Sequence, residues 1–157
     1  MGLIEFVKEA GAKLGLGKSK EEAAVEEYME ESTKANALWH LVRDLGLEIE
    51  DLNIQFDDGT ATVTGTTETQ AEREKVVLAV GNVEGVARVD DQITVVAPEP
   101  AATFYTVASG DTLSGISLEH YGNAMKYTVI FEANRPMLEN PDLIYPGQVL
   151  RIPPLEG

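Results

Sequence analysis

Apolar and polar positions change their period several times along this chain, and each change marks an element. Over residues 2 to 14, Leu3, Phe6, Val7, Ala10 and Leu14 recur at helical spacing before Gly15 and Gly17 interrupt the pattern. This predicts a short amphipathic helix, too short to hold itself together in water unless it docks on a surface. Its polar side carries Glu5 and Glu9 beside Lys8, whereas membrane-surface helices favour a basic face, so docking on its own chain is expected. Residues 19 to 45 read as helix, with Ser32 and Thr33 as a candidate break. Ser19 and Glu22 form a capping-box pair, and Ala24, Tyr28, Leu38, Leu41, Val42 and Leu45 supply the apolar stripe. Gly46 is a natural stop, and Glu26, Glu27, Glu30 and Glu31 make a solvated face.

The period then drops to two. Leu52, Ile54 and Phe56 alternate with polar residues, Asp58-Gly59 supplies a tight primed turn, and Ala61 and Val63 resume the alternation. Gly65 is expected to end the second strand. Thr67 with Gln70, or Thr69 with Glu72, caps a helix running to Val80, which Gly81-Asn82 close. A last strand covers Asp91 to Val96. The order αββαβ describes an α+β domain with a helical layer on a small sheet.

Pro98 and Pro100 alternate with small or polar residues and mark a semi-rigid linker. Beyond it a strand at Phe104 to Val107 leads to Gly110, and Asp111 is expected to cap a helix carrying Leu113, Ile116 and Tyr121. Gly122 ends that helix, and Asn123 caps a second one with Tyr127, Ile130 and Phe131. Tyr145-Pro146-Gly147 turns the chain into a strand at Val149 to Ile152. The expected organisation is a docking helix at 1–17, an αββαβ domain at 18–97, a linker at 98–103 and a βααβ domain at 104–157.

Composition narrows the function. A formal charge of −15 on 157 residues repels nucleic acid and anionic lipid, though it does not by itself argue for a metal. The chain has no cysteine, which excludes disulfides, thiolate metal sites and cysteine nucleophiles. Glu5, Lys8 and Glu9 break up the apolar residues at the N-terminus, and position 6 is Phe where a myristoylation motif needs Ser or Thr. A cytoplasmic monomer is expected.

An enzyme is not. His40 and His120 stand alone in sequence, and Ser109 and Ser114 lack a nucleophile-elbow pattern. Asp57-Asp58 and Asp90-Asp91 lack calcium-loop spacing, and there is neither a P-loop nor a dinucleotide fingerprint.

The run YTVASGDTLSGIS, followed by YGN, EANRP and NPDLIYPGQVLRIP, resembles the LysM domain along its whole length. The preceding LNIQFDDGTATVTG and VGNVEGVARVDDQI resemble the BON domain. With MGLIEFVKEAGAKL in front, the arrangement resembles the bacterial cytoplasmic potassium-binding protein family over nearly the full chain, least so between Gly15 and Leu52. The resemblance implies binding of one K⁺ by backbone carbonyls, with compaction. Its ligands would fall on Val7, Ala10 and Ala12 in the N-terminal segment, and on Gly81, Val83 and Val86 in the loop after the second helix. Carbonyl dipoles suit K⁺, whereas carboxylate cages favour Ca²⁺ or Mg²⁺. Read without the resemblance, Gly11, Gly81 and Gly85 are ordinary helix stops and loop residues. A second implication, from LysM domains, is a groove for N-acetylglucosamine polymers at Gly110, Asp111, Thr112, Leu143 and Ile144. A membrane role of the kind linked to BON domains finds no basic loop or apolar patch to support it.

Overall fold

The computed structural model describes residues 2–6, 31–99 and 101–155. The first domain is a four-stranded sheet in the order β1-β4-β3-β2, made by β1 (Gly2–Glu5), β2 (Glu50–Asp57), β3 (Thr60–Thr69) and β4 (Arg88–Ala97), with helices α1 (Glu31–Asp44) and α2 (Gln70–Gly81) packed on it. β2 and β3 form an antiparallel hairpin. Asp58 and Gly59 at its tip have φ of 50° and 79°, the geometry of a primed turn and the reason Asp-Gly suits it. β3 and β4 run parallel, with α2 as their crossover. Leu38 and Val42 of α1 meet Val63, Val76, Val77, Val80, Val89 and Ile93 in the core.

Several local expectations change. Residues 2–5 are not the first turn of a helix: β1 pairs antiparallel with β4, Leu3 opposite Asp90 and Ile4 opposite Val89. Leu3 and Glu5 face outward while Phe6 is buried, a period of two in a run too short to outweigh the helical spacing of the same residues. The rest of the expected docking helix, and the acidic run Glu22 to Glu30, lie outside the described residues. From Glu31 the helix is continuous through Ser32 and Thr33.

Gly65 does not end β3, which continues to Thr69. A side chain at Gly65 would sit 2.8 Å from Ile49 and 2.9 Å from the carbonyl of Glu50, so glycine here makes room for a close crossing. The partner strand bulges opposite, at Asp51, whose φ is 56°. Of the two candidate caps for α2, Thr69 is used: its hydroxyl accepts from the Glu72 N–H at 3.1 Å. Trp39 ties α1 to β2 by donating to the Leu52 carbonyl at 3.0 Å.

In the second domain, β5 (Thr103–Thr106) and β6 (Val149–Ile152) form an antiparallel pair. Helix α3 (Leu113–Tyr121), a 3₁₀ turn (Ala124–Lys126) and α4 (Tyr127–Ala133) lie between them in the chain. Leu113, Ile116, Ile130, Leu138 and Leu150 are buried between these elements. The cap of α3 is Thr112 rather than Asp111: the Thr112 hydroxyl accepts from the Gly115 N–H at 3.1 Å. Asp111 instead closes the turn before it, accepting from the Ala108 N–H at 2.8 Å and from the Tyr105 hydroxyl at 2.6 Å.

Asn134, at the end of α4, uses its amide like a strand residue. Its Nδ2 donates to the Arg151 carbonyl at 2.9 Å and to the Ile130 carbonyl at 2.8 Å. Its Oδ1 accepts from the Arg151 N–H at 2.8 Å. The outer edge of β6 is thereby satisfied at Arg151.

Candidate functional site: the carbonyl loop and the domain seam

The loop joining α2 to β4 carries Gly81, Val83 and Val86. Its apolar side chains Val83 and Val86 are fully buried, which pins the backbone from one side. Single-turn bonds shape it: Val83 N–H to the Val80 carbonyl at 3.2 Å, and Val86 N–H to the Val83 carbonyl at 3.1 Å. Gly85, with φ of 96°, supplies the reversal that an L side chain resists. From α1, Lys34 donates to the Glu84 carbonyl at 2.9 Å. Among the described residues no hydrogen bond reaches the carbonyls of Gly81 or Val86. The Val83 carbonyl keeps a second lone pair beside its bond from Val86.

Phe6 links the N-terminal segment to this loop. Its N–H donates to the Ala87 carbonyl at 2.8 Å, extending the β1–β4 ladder by one bond. Its ring covers Gly81 so closely that a Cβ there would lie 2.1 Å from Cζ. Gly81 is thus required for space rather than for an unusual φ, which the sequence does not distinguish. Val7 is the next residue in the chain; Val7, Ala10 and Ala12 themselves lie outside the described residues.

The second domain meets the same loop through Asn82, whose exposure is 0%. Nδ2 donates to the Val149 carbonyl at 2.9 Å and to the Leu78 carbonyl at 3.0 Å, and Oδ1 accepts from the Val149 N–H at 2.8 Å. The Met137 sulfur lies 3.4 Å from Nδ2. Asn82 does for Val149 what Asn134 does for Arg151, but from the other domain. Beside it Glu74 of α2 binds Arg151 at 2.8 Å, with side-chain exposures of only 5% and 10%. The other carboxylate oxygen of Glu74 accepts from Gln70 Nε2 and from the Ala102 N–H, both at 3.0 Å. Leu47, Lys75 and Leu78 face Asn134, Pro136 and Met137 across a seam with no room for water, and burial there lowers the Lys75 pKa. Sequence reasoning missed Asn82 and Glu74, because a single polar residue at a helix end or on a helix face reads as a cap or as surface.

The expected glycan groove is less complete. Gly110 opens to solvent and Leu143 is 67% exposed. Asp111 and Thr112 are committed to their own turn and cap. Leu143 and Ile144 line a cavity of about 300 Å³ with Met137, Leu138, Glu139, Asp142, Tyr145 and Gln148, and Gly110, Asp111 and Thr112 do not line it.

The chemistry of the loop is that of oxygen dipoles. Among the described residues no group of three His, Asp or Glu side chains is placed to hold a metal ion. Asp91, on β4 just after the loop, is buried and paired with Arg73 at 2.8 Å. His40 is exposed beside the Trp39 ring, and His120 contacts the Ile116 carbonyl and the edge of Tyr105. No helix among the described residues is long and apolar enough to cross a membrane.

A βαββαβ domain, whose first strand is the N-terminal β1, seated by its α2–β4 loop on a βααβ domain defines a two-module protein of binding-type domains. The BON domain model matches residues 30–97, and the LysM domain model matches residues 105–153. The chain is 49% identical over 153 residues to "Potassium binding protein Kbp" of Escherichia coli O6:H1, covering 98% of this chain and 99% of the relative. It belongs to the family of that protein. A 51-residue stretch is 53% identical to an uncharacterized protein of Deinococcus radiodurans, covering 32% of this chain and 19% of that relative.

Proposed function

We propose that the protein binds one K⁺ through the backbone carbonyls of Val7, Ala10, Ala12, Gly81, Val83 and Val86, and acts as an ion sensor rather than an enzyme. The observation that carries this reading is the packing of Phe6 on Gly81, which starts the N-terminal ligand segment at the edge of the carbonyl loop. Family membership with a potassium-binding protein supports it. So does the donor set, since hydrogen bonds among the described residues leave the Gly81 and Val86 carbonyls uncommitted. Carbonyl oxygens replace the hydration shell of K⁺ without the charge density that favours Ca²⁺ or Mg²⁺. Ligands from two separate segments make the ion a fastener: it binds the closed arrangement better and shifts the population toward it.

Calorimetric titration of KCl into protein stripped of K⁺, with NaCl at matched ionic strength, tests the site. Saturable heat with K⁺ and none with Na⁺, together with a smaller radius of gyration in K⁺ by small-angle scattering, is expected. No heat with either ion, and unchanged NMR spectra, overturns the reading and turns attention to glycan ligands of the second domain.

A further inference from the structure

We infer that Asn82 is a positioning residue that makes the second domain part of the ion site: through its bonds to Val149, strand β6 holds the carbonyl loop in its binding shape. The inference rests on the K⁺ reading above.

Asn82 lies between two of the proposed ligands, Gly81 and Val83, so a rotation of its backbone turns both of their carbonyls. Its side chain is completely buried, and three of its hydrogen bonds are made with good geometry. A helix cap needs only the bond to Leu78, inside its own domain. The two bonds to Val149 and the contact with Met137 serve the seam alone. Stranding a buried amide, or the N–H and carbonyl of Val149, is costly, so the loop and β6 move together or pay desolvation on both sides. The loop that Val83 and Val86 anchor in the first domain is thereby braced from the second. Coupling of this kind is reciprocal. Docking of the second domain raises affinity for K⁺ by the same factor as K⁺ raises docking.

The test uses the full chain in four forms: wild type, Asn82→Ala, Val149→Pro, and the double variant. The Val149 N–H points to Asn82 and away from β5, so proline there removes the Asn82 bond without breaking the β5–β6 ladder. Each is titrated with KCl by calorimetry, and K⁺-dependent compaction is followed by energy transfer between one label on each domain. Each single substitution is expected to weaken K⁺ binding at least roughly fivefold and to blunt compaction. The double variant is expected to be no weaker than the worse single one, because both remove the same bond. A merely structural role would instead lower the denaturation midpoint while leaving K⁺ affinity and K⁺-dependent compaction of the folded variants at their wild-type values. If Asn82→Ala does not fold, Val149→Pro, which leaves the carbonyl loop untouched, carries the test. Wild-type affinity in the folded single variants, or additive losses, overturns the role of Asn82 while leaving the K⁺ reading intact. A wild-type protein that takes up no K⁺ overturns both.

Discussion

The tip of the Phe6 ring, Cζ and its two Cε neighbours, presses on Gly81 and leaves no space for even a methyl group there. Gly81→Ala is therefore expected to displace Phe6 and the end of β1, at a cost of about 1–3 kcal/mol for overpacking. Under the K⁺ reading it also weakens ion binding. Phe6→Ala leaves a cavity instead, and the double variant is expected to be less destabilised than the two single losses combined. Urea denaturation of the three proteins measures the non-additivity.

Glu74 and Arg151 form an ion pair in the seam with little access to water. Glu74→Ala leaves the guanidinium buried without its partner and is expected to cost about 3–5 kcal/mol. Replacing both residues by methionine removes the uncompensated charge and is expected to cost less than Glu74→Ala alone. Denaturant midpoints at constant slope decide between these outcomes.

Stability of the second domain is expected to carry a pH signature from Tyr105 and Asp111. The Tyr105 hydroxyl bond holds the Asp111 carboxyl below its ordinary value of 3.8, helped by the Ala108 N–H. That same bond raises Tyr105 from 10.0 to about 12. A carboxyl lowered by folding stabilises above its unfolded pKa, and that gain disappears as pH falls through the folded value. A phenol raised by folding stabilises below 10 and loses that contribution as pH climbs toward about 12. Tyr105→Phe should flatten the alkaline limb between 10 and about 12 and shrink the acid limb, as read by thermal unfolding across pH.

Lys34 holds the Glu84 carbonyl from α1. Lys34→Met keeps the apolar stem and loses that bond, which is exposed and contributes about 1 kcal/mol or less. Global stability should barely change. Affinity for K⁺ should fall a few-fold if the bond helps to orient the loop, and unchanged affinity would limit Lys34 to tethering α1.

Much of the architecture was legible because local chemistry agreed with the global fold. Asp58-Gly59 between two alternating runs leaves few structures other than a hairpin, and two overlapping capping pairs, Thr67 with Gln70 and Thr69 with Glu72, marked the start of α2 without deciding between them. The N-terminal strand was obscured because Leu3, Phe6 and Val7 satisfy a helical spacing, and only pairing with β4 reveals the period of two. Gly65 and Gly81 read as terminators, yet one makes room for a crossing strand and the other for an aromatic ring. Those are tertiary facts with no local mark. The loop proposed to hold the ion was legible only through family resemblance, since main-chain carbonyls leave no side-chain signature. Asn82 was hidden for the opposite reason: its residue type is visible, but its partner, Val149, lies 67 residues away.

The division of labour along β6 bears on what separation of the domains would expose. Arg151 keeps its amide partner whenever the second domain is folded, because Asn134 belongs to that domain. Only Val149 would lose its partner on opening. A single unpaired rung is too short a template for another chain to add a strand. Separation of the domains would therefore leave β6 without an adhesive edge to offer neighbouring molecules.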